Sequence, residues 1–261
     1  LVHGSVCRDF LEPATACIVH NRLELRPNCM VYDVSNACLG LLTGMIHAAN
    51  MIELGQIRAA LVVGTEDGRA LVENTIERLN TDTSLSRDDI KPTIASLTIG
   101  SGSAAIVLAD RRLGRTGRRL LGGVVRTDTR HCRLCQGGSG PTSPDAELLM
   151  ATDSESLLRE GVATARQAFD EFLVELDWQA STIDRTFCHQ VGRAHRKLLL
   201  EMLGLDAARD FTTFETLGNT GAVALPITAA MGIERGETPP GSRVAMLGIG
   251  SGINVAMLGV E

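Results

Sequence analysis

The chain has 261 residues, of which 44% are hydrophobic and 3% aromatic, and a formal net charge of −6. That is enough apolar mass for one large core or two small ones, necessarily aliphatic, and the mildly acidic balance leaves no electrostatic footprint for nucleic acid. No apolar run reaches the roughly 18 residues that a membrane span needs, and no secretory apolar region stands at the start. Residues 30–35 (MVYDVS) read as a buried strand, and residues 37–55 as a helix, apolar nearly all round and closed by Gly55. Strands are predicted at 59–65 and 102–109, followed by an Arg- and Gly-rich stretch at 111–123. The pattern then restarts. It predicts an amphipathic helix at 154–176, a short strand at 185–189, a helix at 191–203, a Gly- and Ala-rich helix at 219–236, and strands at 243–249 and 252–259. Residues 80–96 and 128–150 are the main irregular connections. Continuously apolar strands alternating with helices argue a layered α/β fold.

Residues 97–108 (LTIGSGSAAIVL) and 247–258 (LGIGSGINVAML) repeat at an offset of 150. The same offset carries Cys38 to Cys188, beside His189. The strands entering Cys38 and His189 are therefore expected at equivalent places in two similar halves, 1–116 and 117–261, whose loops meet at one site. The counterpart of the second half's beginning would fall before residue 1. The sequence opens LVHGSVCRDFLEP without an initiating Met, so an N-terminal portion of the first half is expected to be missing from it.

Seven Cys at 7, 17, 29, 38, 132, 135 and 188 form an odd, scattered set, which points to a reduced, cytoplasmic protein. Cys132 and Cys135 make a lone C-x-x-C. With no second ligand pair at zinc spacing, they read as part of an irregular loop, and no metal is expected. Cys7, Cys17, Cys29 and Cys188 read as packing residues. Cys38 differs in position, standing in S-N-A-C-L-G between a strand and a helix. Unpaired N–H groups and the positive helix end favour a thiolate, so a lowered pKa and a nucleophilic role are expected there. The competing reading is an ordinary buried thiol. His189, in F-C-H-Q-V-G, can move protons or donate to an oxyanion, or be a satisfied core histidine. Asn219, in L-G-N-T-G, reads equally as a helix N-cap. Gly250 and Gly252 frame Ser251 and permit close backbone approach to a ligand, or simply make a tight turn. His195 reads as a surface residue of its helix and Asp33 as structural.

Taken together, D-V-S-N-A-C-L-G, H-Q-V, G-N-T-G-x-x-x-x-P and G-I-G-S-G resemble the ketoacyl synthase III branch of the thiolase superfamily. R-D-F-L-E-P-A-T-A at 8–16 and L-G-I-G-S-G at 247–252 most resemble its OleA group, which joins two fatty acyl-CoA molecules head to head without decarboxylation. The resemblance implies a thiolase-like fold of two duplicated α/β halves in an α-β-α-β-α layering. It implies that Cys38 takes the first acyl chain and that His189 and Asn219 hold the second thioester's oxygen. The Cys38 N–H and the loop at Gly250, Ser251 and Gly252 would form an oxyanion hole. Glu12, otherwise an ordinary surface acid, matches the proposed base that reaches in from a partner subunit.

The resemblance further implies a homodimer and acyl-CoA or acyl-carrier-protein thioesters as substrates, with no permanently bound cofactor. Downstream enzymes of lipid biosynthesis are possible partners. G-N-T-G stands where G-N-I-G is associated with OleA, and G-N-T is also typical of ordinary synthase III. Arg69 and Arg126 are loose candidates for phosphate contact. Four readings therefore stand: non-decarboxylative condensation of two acyl-CoAs, decarboxylative condensation with a malonyl carrier protein, a non-catalytic partner subunit, and a Cys-His-Asn protease. The intact Cys, His and Asn set disfavours the third. The repeat and the lack of C-G-S-C-W disfavour the fourth.

Overall fold

The computed structural model describes residues 1–8, 10, 12–114, 117–138 and 149–261. Thr116, the last residue of the expected first half, lies outside the described residues. So do Asp9 and Leu11 of the R-D-F-L-E-P run and residues 139–148 of the connection at 128–150.

A first sheet contains β1 (Val2–His3), β2 (Tyr32–Asp33), β3 (Ala59–Glu66) and β4 (Gly102–Ala109). Its order is β2-β1-β3-β4, with the first three strands parallel and β4 antiparallel to β3. β5 (Leu120–Thr127) follows, and β6 (Cys135–Gly138) pairs with β7 (Leu149–Thr152) as a separate hairpin. β8 (Arg185–Cys188), β9 (Val244–Gly250) and β10 (Asn254–Val260) join β5 in a second sheet of order β5-β10-β9-β8. There β8 and β9 are parallel, while β10 is antiparallel to both β9 and β5. A parallel bridge from Thr186 to Asp210 extends this sheet beyond β8.

The two sheets have the same plan. β1 beside β3 corresponds to β8 beside β9, β4 corresponds to β10, and β2 corresponds to the segment at Asp210. The two Gly-Ser-Gly runs, 100–102 and 250–252, both immediately precede the antiparallel strand, as the repeat predicts. The expected equivalence of Cys38 and His189 is corrected, however. His189 follows β8, whose counterpart is β1 rather than β2, so its equivalent lies in the segment after β1 and is not Cys38. Cys38 follows the outer strand β2, and the matching segment after Asp210 leads to Asn219. Loops of unequal length separate the strands, so no single offset relates all of them.

The helices are α1 (Thr15–Arg22), α2 (Gly40–Glu53), α3 (Arg69–Thr81), α4 (Arg87–Ile90), α5 (Ser154–Glu175), α6 (Arg193–Leu203), α7 (Phe214–Leu217) and α8 (Ala224–Glu234). α2 lies between the sheets, which is why its sequence is apolar nearly all round, with only His47, Asn50 and Glu53 exposed. Leu42 and Met45, with Leu39 just before them, pack with Phe187, Leu225, Met246 and Leu258. Leu41 and Ala48 pack with Val2, Val62 and Val223 on the other side. The opposite face of the second sheet, including Leu247, Ile249, Val255 and Met257, is covered by Phe169 and Phe172 of α5 and Leu199 and Leu203 of α6. Burying each of these large side chains stabilises the fold by about 1.5–3 kcal/mol. Asp33 is structural, since its carboxylate accepts the Thr15 and Ala16 N–H groups at 2.9 Å each and so caps α1 from another element.

Several boundaries differ from expectation. The strand at 30–35 contracts to Tyr32–Asp33, and the helix at 37–55 begins as a 3-10 turn, Ala37–Leu39. The helix at 219–236 likewise opens with a 3-10 turn, Gly221–Val223. The connection at 80–96 contains α4, with a Ser86/Asp89 capping box, and the start of a 3-10 stretch, Lys91–Thr98. The stretch at 111–123 runs into β5, and α3 occupies residues assigned to no element.

Candidate active site

Cys38 follows β2, His189 follows β8, and Asn219 stands just before the 3-10 turn Gly221–Val223. Cys38 sits in the 3-10 turn after Ala37, which takes a left-handed φ of 43°. The turn packs against β9 and against Gly221–Val223. Gly250 lies against this turn, where a Cβ would press on Leu39 Cγ at 3.2 Å and make ordinary contact with the Cys38 nitrogen and Cβ at 3.5 and 3.6 Å. Asn36 anchors the turn from both ends of its amide. It donates to Thr43 Oγ1 at 2.9 Å and accepts from Asn254 Nδ2 at 3.0 Å. Asn254 also donates to the Ser251 carbonyl at 3.3 Å, so one side-chain pair ties the thiol's turn to the Gly-Ser-Gly loop. The backbone N–H groups of Cys38 and Ser251 are directed at the sulfur.

The expected lowering of the Cys38 pKa is corrected. Burial of the sulfur, with Cys135 and Glu66 nearby, pushes the thiol up to about 12, and the two N–H groups offset only part of this. Desolvation outweighs the helix end. The thiol at rest is protonated, and its activation needs a proton acceptor.

His189 follows β8, donates its N–H to the Leu247 carbonyl at 3.0 Å and is 5% exposed. Burial, with His195 alongside, drives its pKa down to about 3, so the imidazole is neutral at physiological pH. His195 is half-buried rather than a surface residue, with its ring close enough to His189 to influence it. Its Nδ1 is buried with no partner among the described residues, and burial lowers its pKa to about 4. Gln190 connects this loop to the next. It donates to the Cys188 carbonyl at 2.7 Å and accepts from the Thr213 and Phe214 N–H groups at 2.9 and 3.2 Å.

Asn219 is held by both backbone groups, donating to the Thr98 carbonyl and accepting from Gly100 N–H, each at 2.9 Å. Its Oδ1 accepts the Gly221 N–H at 3.0 Å, which leaves the amide NH2 as the group able to donate to a ligand. The neutral imidazole and this amide supply uncharged donors on loops that flank the thiol.

The structure leaves Glu12 exposed on the segment before α1. Arg69 is paired with Glu73, and Arg126 with Glu171 at 2.5 Å beside a polar cavity of about 320 Å³ that Thr127, Asp128, Arg130 and Glu160 also line. Cys17 and Cys29 are exposed rather than packed, and Cys188 is buried as expected. Cys132 is exposed, while Cys135 on β6 accepts from Thr152 Oγ1 at 3.4 Å and lies close enough to Cys38 to influence it. Among the described residues, no group of three or more His, Cys, Asp or Glu could hold a metal ion. No helix is long and apolar enough to cross a membrane. Sequence reasoning missed Glu66, Asn254 and Cys135. The only available signal for Glu66 was an acid ending a buried apolar strand.

Residues 32–129 match the 3-oxoacyl-[acyl-carrier-protein] synthase III family, and residues 173–261 match the C-terminal family of the same synthase. The acyl-CoA:acyl-CoA alkyltransferase of Shewanella oneidensis is 41% identical over 265 residues, spanning 100% of this chain and 75% of that protein. The chain belongs to the synthase III family. This synthase III chain is also 38% identical to the acyl-CoA:acyl-CoA alkyltransferase of Xanthomonas campestris, over 98% of its own length and 73% of the other. It is 27% identical to the β-ketoacyl-[acyl-carrier-protein] synthase III of Rhodospirillum rubrum, over 97% and 74%. Its backbone superposes on Xanthomonas campestris OleA, solved as a cysteine-to-serine variant with bound lauric acid and lauroyl-CoA. The TM-score is 0.92 at 38% identity, over 99% of this chain and 74% of that one. The thiolase-like α/β fold of this synthase III chain is thereby shown.

Proposed function

We propose that the protein condenses two fatty acyl-CoA molecules head to head through an acyl-Cys38 intermediate. In the first step the Cys38 sulfur attacks an acyl-CoA carbonyl, expels CoA as a thiol and keeps the acyl group as a thioester. In the second, a base removes an α-proton from another acyl-CoA. The resulting carbanion attacks the acyl-Cys38 carbonyl, and the Cys38 thiolate leaves, giving a β-ketoacyl-CoA that water hydrolyses to a β-keto acid and CoA. His189 and Asn219 donate to the enolate oxygen, each worth roughly 2–4 kcal/mol in a dry site. The N–H groups of Cys38 and Ser251, in the loop with Gly250 and Gly252, receive the oxyanion formed on the acyl carbonyl. The thiol proton leaves on the departing CoA sulfur, because an imidazole held at about 3 is too weak a base to take it from a thiol at about 12.

The reading is carried by the 41% identity to an acyl-CoA:acyl-CoA alkyltransferase, and is supported by the backbone N–H groups of Cys38 and Ser251 that act on the Cys38 sulfur. Glu12 is the proposed base, serving the partner's site in a homodimer. Its exposure, and the exposed Val6 and Phe10 near it in the sequence, support that placement. The reaction needs no permanently bound cofactor, and a cytoplasmic enzyme of lipid synthesis is the setting proposed. The division into halves at 116/117 is proposed on the matching plans of the two sheets. Decarboxylative condensation with a malonyl carrier protein is the second reading, favoured by the similarity to the Rhodospirillum rubrum enzyme. Incubation with myristoyl-CoA alone, followed by mass spectrometry, separates them. A β-keto product without malonate is expected, and a product that requires malonyl carrier protein would overturn the first reading. Absence of both product and Cys38 acylation would favour a non-catalytic subunit.

A further inference from the structure

Glu66 ends β3 with a buried carboxylate; the residue is 5% exposed. Its partners are backbone N–H groups from two different segments. Oε1 accepts from Val6 at 2.9 Å and from Ala222 at 3.2 Å, and Oε2 accepts from Cys7 at 3.0 Å. A buried carboxylate is tolerated where several donors converge on it, so these bonds hold both segments in place.

The two segments matter to the site. Ala222 follows Gly221, whose N–H fixes the Asn219 side-chain oxygen at 3.0 Å. A Cβ on Gly221 would lie 3.1 Å from the Glu66 carboxyl carbon and Oε1, so the carboxylate and this peptide are in close contact. Val6 and Cys7 begin the segment that runs on to Glu12. We infer that Glu66 is a positioning residue, whose carboxylate locks the 219–222 loop and thereby aims the Asn219 amide, while fixing the root of the segment that bears Glu12. This rests on the proposed condensation, in which Asn219 and Glu12 act on the second acyl-CoA and Cys38 on the first. Loss of Glu66 is then expected to harm the second step more than the first.

The test compares wild type with Glu66→Gln, Glu66→Asp and Gly221→Ala in the full protein. Gln keeps the size but replaces one acceptor oxygen with a donor, so either Cys7 or the Val6 and Ala222 pair faces an NH2 group. Cys38 acylation by myristoyl-CoA is followed by intact-protein mass spectrometry, and condensed product is measured in the same samples. In Glu66→Gln, condensation is expected to fall about 100-fold, as for an ångström-scale misplacement of a reacting group, with acylation falling at least tenfold less. Gly221→Ala, which presses on the same contact from the loop side and also strains a left-handed φ of 56° in the loop that aims Asn219, is expected to show the same split, and Glu66→Asp to recover part of the condensation.

A second readout compares Glu66→Gln with Gly221→Ala and Glu66→Asp, because loosening around the sulfur would lower its pKa in all three, and loss of the Glu66 charge in Glu66→Gln alone. The titratable groups facing Cys38 are Cys135 and Glu66, and the charge of Glu66 raises the thiol. In Glu66→Gln the pH profile of Cys38 alkylation by iodoacetamide is therefore expected to move to lower pH. Equal losses of acylation and condensation, tracking a lowered melting temperature in all three variants with no shift of the alkylation profile, would overturn the inference. So would unchanged condensation. If wild type itself forms no β-keto product, the proposed function fails instead. The alkylation profile and the amide hydrogen exchange of residues 219–222 then decide whether Glu66 holds the loop, faster exchange in Glu66→Gln being expected and unchanged exchange refuting it.

Discussion

Lowering the pH from 7.5 to 5.0 tests the buried, neutral state of His189 and His195. In the unfolded chain each titrates near 6.5, whereas in the fold burial lowers them to about 3 and about 4. Below pH 6.5 the unfolded state therefore binds more protons than the native one. The stability that these residues carry is complete above pH 6.5 and is lost as the pH falls toward the folded values. At pH 5.0 the gap is about 1.5 pH units for each histidine, or about 2 kcal/mol per residue at 1.36 kcal/mol per unit. Acidic side chains also begin to titrate in this range, so the informative quantity is a difference between proteins. In His195→Leu the loss between pH 7.5 and 5.0 is expected to be about 2 kcal/mol smaller than in wild type, which corresponds to roughly 4–8 °C in melting temperature. Urea denaturation and thermal melts at both pH values measure it. If wild type and His195→Leu lose equal stability on acidification, His195 is not held neutral by burial, and its placement beside His189 is wrong.

Cys38 is expected to resist iodoacetamide at pH 7 and to react progressively as the pH rises toward 12, while exposed Cys17, Cys29 and Cys132 react first; peptide mapping that finds Cys38 modified fastest at neutral pH would refute the buried thiol. Asn254→Ala removes the link from the Gly-Ser-Gly loop to Asn36 and is expected to destabilise the fold by about 1 kcal/mol and to slow Cys38 acylation. Acylation at the wild-type rate, measured by stopped incubation and mass spectrometry, would show that the link does not position the thiol. Glu12→Ala is expected to abolish condensation but leave Cys38 acylation intact, and loss of both or of neither would remove Glu12 from the role of base.

Much of the architecture was legible because burial leaves a periodic imprint. The all-round apolar sequence of 37–55 announced a helix packed on both sides, and β9 and β10 stood out as continuous apolar runs. β5 was hidden because Gly122 and Gly123 break its apolar pattern. The structure explains Gly123, since a side chain there would collide with the Met257 carbonyl of β10. α3 was missed because it borders a polar surface and buries only Thr75 along its length. The thiol, the imidazole and the amide were found by motif, but their environments were not. Local position at a helix start argued for an acidic thiol, while the reverse follows from packing around the sulfur by residues far away in sequence. His195 was misplaced for the same reason, since one sequence window does not reveal which face of α6 meets another loop. The repeat gave the shared plan of the sheets and misled on Cys38, because matching residues by one constant offset ignores that insertions accumulate between strands.

The central placement of α2 has a mechanical consequence. A helix with one apolar stripe can slide or rock on its solvent side, but α2 is wedged between two sheets and exposes only His47, Asn50 and Glu53, toward its far end. The sulfur at its leading edge is therefore gauged by the spacing of those sheets. A substitution deep in either interface, such as at Met45 or Leu41, would act like a shim of the wrong thickness. It would displace the reactive atom without touching any residue that handles the substrate.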